Sequence, residues 1–181
     1  MTTAANPYAS PQTTDLTEGR DEAPAEPRVF SYAGRLGRMR LVAYTFYMSL
    51  ITMPLAWMAM GLMFSGSMVL GVLTYIAVFG VSLVFGLSLY VRRLHDLDQP
   101  GIWVLLLVLP LVNLGLMIYL LFFRGTDGAN QYGPETTPNS TGVKVGFVLT
   151  LVFVVVMPIL AAISIPAYQD YVERAQQSQL Q

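Results

Sequence analysis

The sequence predicts an all-α, polytopic membrane protein: a bundle of about four transmembrane helices behind a disordered N-terminal tail. Three observations carry that expectation. No charged residue occurs from Leu41 to Val91. None occurs from Ile102 to Phe123. Charged residues make up 12% of the 181 and hydrophobic ones 54%, whereas an ordinary soluble domain is about a quarter charged. Charge this scarce, and kept outside the apolar runs, marks spans rather than a soluble core.

Residues 1–29 lack the apolar stretch of a secretory signal and hold Asp15, Glu18, Asp21, Glu22 and Glu26, so a disordered tail is expected. The first span is expected over 41–64, long enough to cross a hydrocarbon core of about 30 Å with some tilt. Pro54 lies inside it and is a candidate kink. Ser65-Gly66-Ser67 reads as a turn. The second span is expected over 68–91, where Ser82 and Gly86, four apart, would permit close helix approach. The third is expected over 102–123, with Pro110 and Gly115 near its middle, and the fourth starts at Val145 and runs to about Ile165 with Pro158 inside. Residues 135–144 form a loop, the last part of a Gly-, Pro-, Asn- and Thr-rich link that begins at Arg124. Beyond the fourth span a polar tail continues to Gln181, with Tyr168, Tyr171 and Val172 at helical spacing.

Orientation follows the basic residues. Five of the ten, Arg20, Arg28, Arg35, Arg38 and Arg40, precede the first span and place the N-terminus in the cytoplasm. Arg92 and Arg93, two spans later, fall on the same side. Four full spans would put the link from Arg124 to Val143 in the periplasm and the C-terminus in the cytoplasm. Arg124 in that link and Lys144 just after it, against Arg174 alone in the tail, argue the other way. A third segment that re-enters, bent at Pro110 and Gly115, would reverse the last part.

Several chemistries are excluded or disfavoured. The chain has no cysteine and one histidine, so disulfides, thiolate sites and a histidine-rich metal centre within one chain are ruled out. The methionines of the first span fill packing space more readily than they relay copper. Asp127, Asn130 and Glu135 do not match a calcium-loop spacing. Asn139-Ser140-Thr141 fits the glycosylation pattern, a match that chance produces often. No basic stripe suits nucleic acid. No catalytic set, cofactor or metal site is expected.

The densest ionisable segment is Arg92-Arg93-Leu94-His95-Asp96-Leu97-Asp98. Arg92 and Asp96 are four apart and Arg93 and Asp96 three apart, so they can pair if the helix outlasts the membrane. The plainer reading is anchoring: arginines snorkel to headgroups and aspartates solubilise the turn. The sharper one is an anionic headgroup site or a proton-linked switch at His95. Arg35 and Arg38, beside Phe30 and Tyr32, suit an interfacial anchor or the same lipid chemistry. The candidate headgroup or partner contacts are therefore Arg35, Arg38, Arg92, Arg93, His95 and Asp96.

Two resemblances follow from these segments. Gly34-Arg35-Leu36-Gly37-Arg38, the Arg92–Asp96 run with Trp103 after it, and Gly125-Thr126-Asp127-Gly128-Ala129-Asn130-Gln131-Tyr132-Gly133-Pro134 stand in one order and spacing. Over 30–134 the chain thereby resembles the YhaH-like bacterial inner-membrane family, domain of unknown function 805. Gln131 departs from it, since a basic residue is frequent there, and the span at Val145 lies beyond the usual end of the domain. Over 146–176, Gly146-Phe147 and the run Ile159–Tyr171 resemble a type IV pilin membrane helix, although Leu151 stands where that family has a glutamate. The resemblances imply an inner-membrane placement, and with no nucleophile–base set in the sequence the expectation is a non-enzymatic protein acting through interaction or assembly in the bacterial envelope. Its partners would be the lipid bilayer and a membrane protein or a second copy. The alternative is an oligomeric component of small-molecule or lipid transport using the 92–98 loop.

Overall fold

A computed structural model describes residues 31–179, and all of the elements formed there are helical. The expected disordered tail, 1–29, lies outside the described residues. Helix α1 spans Arg38–Phe64 and α2 spans Met68–Asp96. Between them Gly66 takes a positive φ of 91° in a three-residue turn, a conformation that glycine adopts without strain. Pro54 sits inside α1 without ending it. Three hydroxyls of the helix, Thr45, Ser49 and Thr52, bond back to carbonyls three or four residues earlier, which keeps them satisfied away from water.

The close approach of α1 and α2 does not occur at Ser82 and Gly86. It occurs at Gly71, where a Cβ would meet the Ala59 carbonyl oxygen at 2.7 Å and the Met63 nitrogen at 2.8 Å. A second close approach brings α4, Thr141–Gln179, onto α1. Gly146 lies against the Tyr47 ring, and the Tyr47 hydroxyl donates to the Gly142 carbonyl at 2.8 Å. Phe46 and Phe153 meet edge to face, with centroids 6.5 Å apart.

The third apolar segment departs from the expected single span over 102–123. Gly101–Val108 is a 3-10 helix, Leu109 is extended, and Pro110–Phe122 forms the 13-residue helix α3. Proline lacks an N–H and pushes the residue before it out of helical geometry, so Pro110 ends one helix and starts the next. Both ends of the segment return to the same end of α2. Gly101 packs on Val91 and His95, and the Leu120 and Phe123 carbonyls accept hydrogen bonds from Arg93. The segment folds back on itself as a hairpin, and α4 therefore starts at the end where α1 starts. At about 1.5 Å per residue α3 is roughly 20 Å long, short of a hydrocarbon core. Helices α1, α2 and α4 are long and apolar enough to cross a membrane.

The core sits at this charged end. Leu36, Leu41, Phe85, Leu89, Leu94, Leu97, Leu116 and Leu120 are buried together, with Tyr44, Tyr90 and Tyr119 packed around them. Away from it, α4 packs on α1 alone among the helical elements. Its apolar stretch is unburied by the chain itself.

Candidate functional site: a buried arginine–aspartate knot

The site is built at the end of α2. The helix closes with the Gln99 N–H donating to the Leu94 carbonyl at 2.9 Å and the Asp98 N–H to the His95 carbonyl at 3.1 Å. This paired closure needs a left-handed residue between, and Asp98 supplies it with φ 58°. Pro100 then prevents continuation. The last turn is thereby fixed, and Arg92, Arg93 and Asp96 all point into the chain, at 0%, 0% and 6% exposure.

Asp96 lies between two guanidiniums. Arg35 reaches its Oδ1 through Nε at 3.2 Å and Nη2 at 3.1 Å, and Arg93 Nη1 donates to Oδ2. Buried charge is tolerated only when paired and hydrogen-bonded on its remaining sites, and those sites are filled. Arg35 also donates to the Thr126 carbonyl at 2.5 Å and to the Gly128 carbonyl. Arg93 donates to the Leu120 carbonyl at 2.8 Å and the Phe123 carbonyl at 2.5 Å, and Arg38 to the Phe122 carbonyl at 3.0 Å. A helix leaves its last carbonyls unpaired and partly negative, so the two arginines cap α3 and hold the hairpin down.

The link after α3 wraps the same carboxylate. Thr126 donates its N–H to the Asp96 carbonyl at 2.9 Å. Gly125 passes so close to the Asp96 carboxylate that any Cβ there would overlap it. Asn130 donates to the His95 carbonyl at 2.8 Å and accepts the Tyr132 N–H at 2.9 Å. The Tyr132 ring stacks on His95, centroids 3.9 Å apart and 4° from parallel, and His95 Nδ1 lies 3.3 Å from the Gly34 carbonyl. The Leu36 N–H donates to the Arg92 carbonyl at 3.1 Å, so the approach to α1 is tied in as well. The three sequence segments singled out above, far apart in the chain, form one knot.

That geometry meets a relationship already visible in the motifs. The model of a protein family of unknown function, DUF805, matches residues 29–134. The chain belongs to this family. Inner membrane protein YhaH of Escherichia coli (strain K12) is 27% identical over 115 residues, which cover 58% of this chain and 88% of that relative. Inner membrane protein YhaI of the same strain is 45% identical over 51 residues, 27% of this chain. The matched part spans 42% of YhaI's own length. No solved structure matches the chain. The DUF805 match ends at Pro134, two residues past Tyr132, and α4 lies outside it.

Of the expected site residues, Arg35, Arg93 and Asp96 come together directly. Arg92 turns back along its own helix, its Nε donating to the Ser88 carbonyl at 3.2 Å, rather than pairing with Asp96 through the i,i+4 spacing. Arg92 and Arg93 are not snorkelling anchors: both are enclosed by the chain. Arg38 stays exposed, and His95 is half-buried under Tyr132. Sequence reasoning missed Gly125, Thr126 and Asn130 as partners of the turn. Their signal lies in the Gly125–Pro134 motif, whose order and spacing mark it without naming its partners. Among the described residues no cluster of His, Asp and Glu could hold a metal ion, and Asp127 pairs with Arg124 at 2.7 Å on the surface.

Proposed function

We propose that this DUF805 protein is a non-enzymatic component of the bacterial inner membrane that works by interaction or assembly. The observation that carries this reading is α4. The helix has 39 residues, roughly 58 Å at 1.5 Å per residue, against a hydrocarbon core of about 30 Å. It outruns the membrane, packs on α1 alone among the elements, and carries Tyr168 and Tyr171 at 68% exposure each. A lone projecting helix gains most of its stability from packing of one face, which a partner or a second copy would provide. The ionisable groups of the knot are engaged with one another and with backbone carbonyls, which favours a structural element over a reaction centre. The names of YhaH and YhaI support the inner-membrane placement.

A cytoplasmic N-terminus fits the same reading. The hairpin gathers Arg35, Arg38, Arg40, Arg92, Arg93 and Arg124 at one end, and Lys144 follows at the start of α4, as the positive-inside rule expects for a cytoplasmic face. The C-terminal end of α4 would then emerge in the periplasm. Photo-crosslinking residues at positions 168 and 171 in native membranes test the proposal. The expected result is a discrete protein adduct, or a dimer of this chain. Insertion at normal level with lipid adducts alone would defeat it.

A further inference from the structure

A groove of about 920 Å³ runs between α1, α3 and α4, lined by residues such as Leu41, Phe46, Met117, Leu121, Phe147 and Val154. That volume is of ligand-site size. Arg38 stands at its mouth and also borders a second, polar cavity of about 140 Å³. There Arg35, Arg38, Arg93 and Arg124 face Asp96, Asp127 and Glu135. Asp96 is shared by Arg35 and Arg93, and Asp127 is taken by Arg124. Arg38 has one hydrogen bond among the described residues, from Nη1 to the Phe122 carbonyl. An incompletely engaged guanidinium thus joins an apolar slot to a cavity in which cations outnumber anions.

We propose that this composite site holds one anionic phospholipid of the surrounding bilayer, its phosphate at Arg38 and Arg124 and one acyl chain along the groove. The apolar slot takes the chain, and the guanidinium fork matches phosphate oxygens. The inference is independent of the assembly reading, since α4 can meet a partner through its other faces whether or not the groove is filled.

The test is native mass spectrometry of the full chain in neutral detergent, offered dioleoyl phosphatidylglycerol and dioleoyl phosphatidylcholine in equal amounts. The expected result is one phosphatidylglycerol per chain, preferred roughly thirtyfold over phosphatidylcholine, as two basic residues at an anionic headgroup provide. Arg38→Gln with Arg124→Gln should lower its retention to the phosphatidylcholine level, and Leu151→Trp, at a residue that lines the slot, should lower retention by filling it. Equal retention of both lipids by the unaltered chain overturns the proposal, and that comparison needs no variant. So does a phosphatidylglycerol adduct indifferent to the arginine changes, or a chain dimer in place of the adduct. Inorganic phosphate that displaces the lipid, with Leu151→Trp having no effect, would identify a free-anion site instead. Helical content by circular dichroism checks that each variant is folded.

Discussion

Replacing Asp96 by asparagine should loosen the charged end more than any comparable surface change. The carboxylate is 8% exposed, between Arg35 at 1% and Arg93 at 0%. Asn keeps the shape but removes the charge and turns an amide N–H toward a guanidinium. Two buried cations are then left without a counter-ion. Removing one partner of a buried pair costs about 3–5 kcal/mol, and one carboxylate here serves two partners. Each 1.4 kcal/mol is a tenfold change in an equilibrium constant, so opening of the knot should become roughly a hundredfold to a few thousandfold more frequent. Hydrogen exchange of the full chain in detergent micelles reads this locally. The sensitive amides are Leu36, bonded to the Arg92 carbonyl, and Thr126, bonded to the Asp96 carbonyl. Both should lose protection while amides in the middle of α1 keep theirs. Adding Arg35→Gln to Asp96→Asn should cost less than the two single losses combined, because it removes one of the stranded charges. Unchanged exchange at both amides in Asp96→Asn would refute the paired-charge account.

Other expectations follow from the same geometry. Asp127→Asn breaks an ion pair whose side chains are 77% and 75% exposed; thermal unfolding should shift by less than about 1 kcal/mol, the usual ceiling for exposed pairs. Gly71→Ala forces a methyl group against the Ala59 carbonyl and Met63 backbone. A destabilisation of about 1–3 kcal/mol, as for overpacking, is expected in a denaturation titration, whereas Gly80→Ala, with open space at its Cβ, should be tolerated. Asp98→Gly relieves a positive φ on an exposed residue and should raise stability by a few tenths to about 1 kcal/mol in the same titration.

Much of the fold was legible because composition decides it. One charge-free stretch from Leu41 to Val91, broken at Ser65-Gly66-Ser67, leaves little but a helical hairpin. The third segment was not, because its 22 apolar residues have the length of a span. Pro110 signalled a break, and a proline in a membrane helix can equally be absorbed. What decides is distant: the Arg93 guanidinium caps carbonyls 27 and 30 residues along the chain. The site shows the same division. The Arg93–Asp96 pair follows from i,i+3 spacing, whereas Arg35 joins them across 61 residues and Thr126 across 30. Local spacing carries no trace of such partners, and order in the motifs does. Snorkelling was the natural reading of Arg92 and Arg93 as membrane-flanking residues. It failed because Arg93 is bonded to the hairpin, which is absent from a four-span reading, and Arg92 is enclosed beside Ser88 and its own helix.

The central claim is that residues 101–123 re-enter, so that the turn after α2 and the start of α4 share one side of the membrane. The chain has no cysteine, so single cysteines can be placed at Gly66, Asp98, Asn139 and Gln176 and labelled with a membrane-impermeant maleimide, in spheroplasts and in inverted vesicles. The re-entrant hairpin predicts that positions 98 and 139 react from one side and 66 and 176 from the other. Labelling of 98 and 139 from opposite sides would contradict it and restore a full third span.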